Sequence, residues 1–278
     1  MSHTTEVAEA RRFEFGKNWS DFLRRLTPER IERAKSSLRE MLGRERLDGL
    51  DFLDIGCGSG VFSLAAHELG ARVHSFDYDP YSVGCAAQLR TRAGASEDAW
   101  RVEEGSALDA EYVRSLGEFD IVYSWGVLHH TGEMWRALEN AALAVKPGGL
   151  LFIAIYNDCG NESVAWVRRK KRYNELPRWL RPLYAVAAIA PYEVRAAAGS
   201  VVRGRPHEYV RTWTRYQANR GMSRWHDILD WVGGYPYEYA STDALVDFYR
   251  KLGFEPVRLK PTKGLGCNEL VLRRMETT

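Results

Sequence analysis

The chain has 278 residues, and its 39 Lys+Arg against 37 Asp+Glu leave a net charge of +2, too little to capture a polyanion through a global field. That length fits one α/β core with an elaboration, and four scattered cysteines (57, 85, 159, 267) without a C-x-x-C pair indicate neither a disulfide framework nor a zinc site. With no apolar signal core at the N-terminus and no run near the roughly 18 apolar residues of a membrane span, the sequence predicts a cytoplasmic protein without stable membrane insertion.

Residues 1–48 read as a helical arm. Phe13, Phe15, Trp19, Phe22 and Leu23 crowd a short polar segment and would staple that arm to the core. A helix follows over 28–43: Thr27 is placed to cap it, Pro28 fits its first turn, and Ile31, Ala34, Leu38, Met41 and Leu42 share one face. The apolar run 50–55 suits a buried strand, glycines at 56, 58 and 60 permit a tight turn, and 61–70 resumes helical spacing. Such a loop lets the backbone approach a ligand with no Cβ in the way. Asp77 ends the next strand, 73–77, where a carboxylate can accept both hydroxyls of a ribose. Two nucleoside cofactors suit this arrangement. A nicotinamide site needs G-x-G-x-x-G and a pyrophosphate at the helix N-terminus. Here the run is Asp54-x-Gly56-x-Gly58-x-Gly60, and a carboxylate at 54 repels a pyrophosphate and suits a cation. A helix over 80–92, a strand over 100–103 and the turn Gly105-Ser106-Ala107 come next. They lead to a strand and loop over 119–130 and a Lys146-Pro-Gly-Gly149 turn into a strand ending near 155.

The D-x-G-x-G-x-G loop, the acid at 77, the 119–130 segment and the K-P-G-G turn, in register, resemble class I S-adenosyl-L-methionine-dependent methyltransferases. The pattern is similar to the small-molecule type, including quinone-biosynthesis and natural-product O-methyltransferases. It covers 50–157 closely and 242–275 in outline. The resemblance implies a seven-stranded, mostly parallel sheet with an antiparallel last strand and helices on both faces. It also implies S-adenosyl-L-methionine as cofactor and S-adenosyl-L-homocysteine as product. Matching positions assign the cofactor to Asp54, Gly56, Cys57, Gly58, Gly60, Asp77, Tyr78, Ser106, Ala107 and Trp125. Ser106 departs from the family, which often carries an acid there. N-terminal arms often close such sites in this family, and Phe15 and Trp19 would then be lid contacts with substrate.

Residues 49–157 thus form the expected cofactor core, completed by a helix and closing hairpin in 241–278. Between them, 158–240 is an insertion holding five of nine tryptophans and eight of fourteen tyrosines. Amphipathic rings suit a cover over a substrate pocket as well as a small core of their own. Helices are expected near 162–174, 178–198, 207–218 and 223–232, with breaks at Pro177, Pro191, Gly204 and Gly221. His130 and His129 face the methyl group if the resemblance holds, and either could be the base; they could equally orient a loop. His226 and Asp230, four apart on a helix, could form an imidazole–carboxylate pair or a surface hydrogen bond. Tyr156, Asn157, Trp231, Tyr235 and Glu238 are the remaining substrate candidates.

No metal is expected, because the paired acids of metal-dependent relatives are replaced by Ser124-Trp125-Gly126 and Tyr156-Asn157. The basic run Arg168-Arg-Lys-Lys-Arg172 is either a solvated helix face or a docking strip for RNA or protein. The expected reaction is methyl transfer to a hydroxyl or amine of a small molecule, with nucleic acid disfavoured as partner. A non-catalytic cofactor-binding regulator is the other class, and monomer and homodimer are both open.

Overall fold

The computed structural model describes residues 3–9, 12–13, 26–214 and 224–276. Two compact units divide the chain. The larger comprises Phe15–Ser163 with Tyr237–Thr278, and the smaller comprises Met1–Glu14 with Val164–Pro236. The expected boundaries after 157 and 240 are thus displaced to Ser163 and Pro236, and residues 1–14 group with the insertion rather than with 15–48.

In the larger unit the strands are β1 (Asp51–Ile55), β2 (Arg72–Asp77), β3 (Trp100–Glu104), β4 (Phe119–Trp125), β5 (Val145–Tyr156), β6 (Phe254–Lys260) and β7 (Cys267–Arg274). They form one sheet in the order β3-β2-β1-β4-β5-β7-β6. Strands β1 to β5 are parallel, and β7 runs antiparallel to both its neighbours. This is the sheet that the resemblance implies. Successive side chains point to opposite faces, so Leu53, Ile55, Val122, Leu151, Ile153, Leu270 and Leu272 join one core. Phe52, Ile121, Tyr123, Leu150, Phe152 and Val271 join the other. Both faces are apolar because helices cover both.

Helix α1 (His3–Ala8) belongs to the smaller unit. In the larger, α2 (Pro28–Leu42), α3 (Val61–Glu68) and α4 (Pro80–Arg92) line one core, while α5 (Ala110–Ser115), α6 (Met134–Leu143) and α11 (Thr242–Lys251) line the other. Thr27 does not cap α2 through its side chain. Its hydroxyl bonds the Glu29 carboxylate instead, and that bond is the main reason the Glu29 pKa is lowered. The K-P-G-G turn appears as a register jump, Val145 pairing with Phe119 and Leu150 with Ile121. The Lys146 ammonium sits 3.0 Å from both Asp51 and Asp120, and the Asp51 N–H donates to Asp120 at 2.8 Å. These contacts tie the starts of three strands together and leave their carboxyl ends to form a site.

The smaller unit takes most of α7 (Asn161–Glu175), then α8 (Arg181–Val202), α9 (Pro206–Thr214) and α10 (Arg224–Gly233). Pro191 does not break a helix as expected: it lies inside the 22-residue α8. A proline deletes only one backbone donor, and the alanines at 187, 188, 190, 196, 197 and 198 favour helix on both sides. The result is a helix long and apolar enough to cross a membrane by length and composition. The expected break at Gly221 lies outside the described residues.

Within this unit Trp166 packs on Trp231 and Tyr192, with ring centroids 5.3 and 5.7 Å apart. The fully buried Lys170 donates to the Trp231 carbonyl oxygen and lies 4.2 Å from that residue's ring. Burial pushes its pKa down to about 7, against the pull of Asp230. Arg169 reaches the Tyr192 hydroxyl at 3.2 Å. The basic run is thereby divided: Arg168, Lys171 and Arg172 face solvent, and Lys170 serves the interior.

Candidate active site

The loop after β1 is built so that only glycine fits at its critical points. Gly56 has φ +75°, and a Cβ there would fall 2.3 Å from Cγ1 of Val127. At Gly60, φ +79°, a Cβ would lie 3.0 Å from the Ala86 backbone, holding α3 close against α4. The N–H groups of Gly56 and Cys57 both donate to the Phe76 carbonyl, at 2.8 and 3.1 Å. Gly58 N–H donates to Asp77 Oδ2 at 2.8 Å, and Asp79 N–H to Asp77 Oδ1 at 2.9 Å. The Gly58 and Asp79 donors orient the Asp77 carboxylate beside the glycine loop.

Asp54 behaves differently from the sequence expectation of a carboxylate offered to a cation. Its side chain is buried and accepts from Ser63 Oγ at 2.5 Å; Ser75 Oγ donates to Ser63 Oγ, and Trp100 Nε1 to Ser75 Oγ, each at 2.8 Å. This chain of four buried groups links β1, α3, β2 and β3 under the loop. Burial raises the Asp54 pKa to about 7, the Ser63 bond opposing it. Cys57 is likewise buried, which pushes its thiol well above the usual range. Nothing in the local sequence marks Ser63, Ser75 or Trp100 as partners, since they meet only when β2 and β3 pair and α3 packs on the sheet.

The other cofactor candidates lie on the same strand ends. Tyr78 directly follows Asp77 and is half-buried, and Trp125 ends β4 with 42% of its surface exposed. Ser106 shapes a turn: its Oγ accepts from Leu108 N–H at 3.2 Å. Ala107 packs against a core, and its carbonyl accepts from the buried Asn140 at 2.8 Å.

At the ends of β4 and β5 the predicted histidines and Tyr156 come together. His129 and His130 lie on a single 3-10 turn, Leu128–His130, and both are buried. The ring of Tyr156 is 3.9 Å from that of His129, 5.4 Å from that of His130 and 5.0 Å from that of Tyr237. Tyr156 N–H donates to His129 Nδ1 at 3.3 Å, so the neutral ring carries its proton on Nε2. Asn157 is clamped by the final hairpin: Asn268 Nδ2 donates to its Oδ1 at 3.0 Å, and its own Nδ2 reaches Thr262 O at 3.3 Å. Asn268, fully buried, also bonds Ala240 O at 3.2 Å and accepts from Thr262 N–H at 3.0 Å.

Glu238, a substrate candidate from the sequence, anchors a helix. Both its oxygens accept from Met134 N–H, at 3.0 and 3.1 Å, where α6 has no side-chain cap of its own. Its backbone N–H donates to His129 O at 2.9 Å, fixing the 3-10 turn as well.

Asp230, Trp231 and Tyr235 belong to the smaller unit. Asp230 acts on the Lys170 ammonium, Trp231 stacks on Trp166, and the Tyr235 carbonyl accepts from Phe13 N–H at 2.8 Å. His226 lies in α10 four residues before Asp230, but its side chain is outside the described residues, as are Phe15 and Trp19. Among the described residues no group of three or more His, Cys, Asp or Glu could hold a metal.

A seven-stranded sheet with a reversed seventh strand, a glycine loop after β1 and an acid ending β2 define the class I methyltransferase fold. A family model described as a methyltransferase domain matches residues 12–231, and the chain belongs to that family. The ubiquinone biosynthesis O-methyltransferase of Methylobacterium sp. strain 4-46 is 34% identical over 165 residues, 55% of this chain and 64% of that protein. The protein of the same name from Methylobacterium nodulans is 33% identical over 174 residues, 56% of this chain and 68% of the relative. The chain therefore spans less than two thirds of the first relative's length. Magnesium protoporphyrin IX methyltransferase from Synechocystis PCC 6803, solved with SAH, shares the fold: TM-score 0.52, 16% identity, 88% of this chain and 83% of that one.

Proposed function

We propose that this chain transfers a methyl group from S-adenosyl-L-methionine to a hydroxyl oxygen of a small molecule, releasing S-adenosyl-L-homocysteine. The observation that carries the reading is that one sheet edge holds both the Gly56–Gly60 loop with its oriented Asp77 and the His129–His130–Tyr156 cluster. The residues fit that cofactor. A glycine wall without Cβ atoms, a carboxylate at Asp77 held beside it and the exposed Trp125 ring are of the right chemistry, with Tyr78 next in the chain. When bound, the cofactor supplies an electrophilic methyl on a sulfonium whose positive charge disappears on transfer.

The chain's own work is then orientation and removal of one proton. His129 has its Nδ1 occupied by the Tyr156 backbone, which makes it a positioning residue that fixes the turn and the Tyr156 ring. His130, next along that turn, is assigned as the base that takes the acceptor's hydroxyl proton. Asn157, held by Asn268, is assigned to the acceptor side of the site. The relatives' name, ubiquinone biosynthesis O-methyltransferase, supports a hydroxyl as the acceptor.

Calorimetry with S-adenosyl-L-methionine, followed by turnover on a panel of hydroxylated aromatics and amines, tests this. His130→Ala should keep cofactor affinity and lose about 100-fold or more in kcat. Full activity of that variant would remove the base assignment, turnover on amines alone would remove the hydroxyl, and absence of cofactor binding by the wild type would overturn the whole reading.

A further inference from the structure

Helix α8 carries an apolar stripe on the side turned away from its own unit. Leu183, Val186, Val194, Val201 and Val202 are 66%, 53%, 67%, 61% and 86% exposed. With Ala187, Ala190 and Ala198 they recur every three or four residues, which places them along one side of the helix. Ala185 and Ser200, on the opposite side, are buried. At 22 residues the helix is roughly 33 Å long, so the stripe is a continuous exposed strip rather than scattered surface valines.

Charge frames this strip. From 178 to 214 there are six arginines, at 178, 181, 195, 203, 205 and 211, against two glutamates, with no lysine or aspartate. Both glutamates are engaged inside the unit: Glu193 with Arg224 at 2.5 Å, and Glu208 with Arg205 at 3.4 Å. Arg178, Arg195, Arg203 and Arg211 are exposed. Two partly or largely exposed indoles flank the helix in sequence, Trp179 just before α8 at 73% exposure and Trp213 on α9 at 41%, the latter donating through Nε1 to Glu193 at 3.2 Å.

We infer that α8, with Trp179 and the start of α9, docks this protein onto an anionic phospholipid bilayer, lying in the plane of its surface. An apolar strip would enter the acyl boundary while guanidinium groups at its edges and ends bind lipid phosphates, and the tryptophans sit at headgroup level. Glu193 and Arg195 fall within the helix and its other side packs on α9 and α10, so it lies on the membrane rather than crossing it. A second copy of the chain fits this surface less well. Two-fold pairing of α8 would bring arginine-framed edges against one another, which costs free energy, whereas an anionic surface neutralises them. The inference is independent of the methyl-transfer reading.

Flotation of the full chain with vesicles of phosphatidylcholine alone, and of phosphatidylcholine mixed with phosphatidylglycerol, tests it. Wild type should float with the anionic vesicles, less with the neutral ones, and lose binding as salt rises. Val194→Asp, and separately Arg203→Ser with Arg211→Ser, should each weaken that binding by about tenfold or more. Their circular dichroism and cofactor affinity should match wild type, which separates lost docking from lost folding. No flotation of wild type with anionic vesicles, or flotation of a folded Val194→Asp chain equal to wild type, would overturn the inference. So would a wild-type dimer by light scattering that Val194→Asp converts to monomer while neither binds vesicles, because the strip would then belong to a second copy.

Discussion

Two buried titratable groups give this protein opposing pH signatures. Asp54 has a folded pKa of about 7, above its unfolded value, so between about pH 4 and 7 the folded state binds more protons and this group lowers stability as pH rises. Asp54→Asn, which keeps an oxygen for Ser63 to donate to, should flatten the fall in Tm across that window. Thermal unfolding at a series of pH values checks it, and an unchanged slope would mean that the carboxyl stays ionised. Lys170 works in the other direction. Its folded pKa of about 7 lies below the unfolded value, so stability rises with pH from about 7 to 10 and carries the full burden of a buried charge below 7. Lys170→Met should therefore gain more, relative to wild type, at pH 6 than at pH 9. At the cofactor end, Asp77→Ala removes the acceptor for Gly58 and Asp79 N–H together with its charge, and should raise the cofactor Kd by about tenfold or more in calorimetry.

Helix ends decide how firmly the candidate base is held. Ser241 caps α11 by accepting from Ala244 N–H at 3.2 Å, an ordinary N-cap whose replacement by alanine should cost about 1 kcal/mol in denaturant unfolding. The Glu238 carboxylate caps α6 from a distance, at the helix that follows the His129–His130 turn, so Glu238→Ala, which keeps the backbone bond to His129 O, should lower kcat as well as stability through that cap alone. A loss of stability with kcat untouched would show that the 3-10 turn does not depend on it. The contrast between these two caps explains what could be read from the sequence. Ser241 stands next to its helix, and strands β1, β4 and β5 declare themselves through mostly apolar runs bounded by glycine and acid signals. Glu238 lies about a hundred residues from Met134, and no spacing rule connects them. Lys170 looked like any member of a charge run because only the helix's rotation decides which of five basic residues turns inward. Pro191 alone reads as a stop, and the alanines around it reverse that. The glycine loop, Asp77 and the histidine pair were legible; the Asp54–Ser63–Ser75–Trp100 chain was not, since it exists only once three strands are paired.

At the scale of the whole chain, the sheet order carries the most weight. Strand β7 lies between β5 and β6 and supplies Asn268, which holds Asn157 in the candidate site. Asn268→Leu should accordingly reduce turnover more than cofactor affinity, with the ratio of the two effects measured by steady-state kinetics and calorimetry. Equal effects on both would place Asn268 in general folding. The same order governs how the protein comes into being. Strand β5 ends at Tyr156, yet the segment that covers its open edge begins only at Cys267, after the entire smaller unit has emerged from the ribosome. Throughout that interval a nascent chain displays a long, apolar, unpaired edge, the kind of surface that recruits chaperones or captures other chains. Slow or interrupted translation across 164–236 should therefore yield insoluble product even from a sequence whose finished fold is stable.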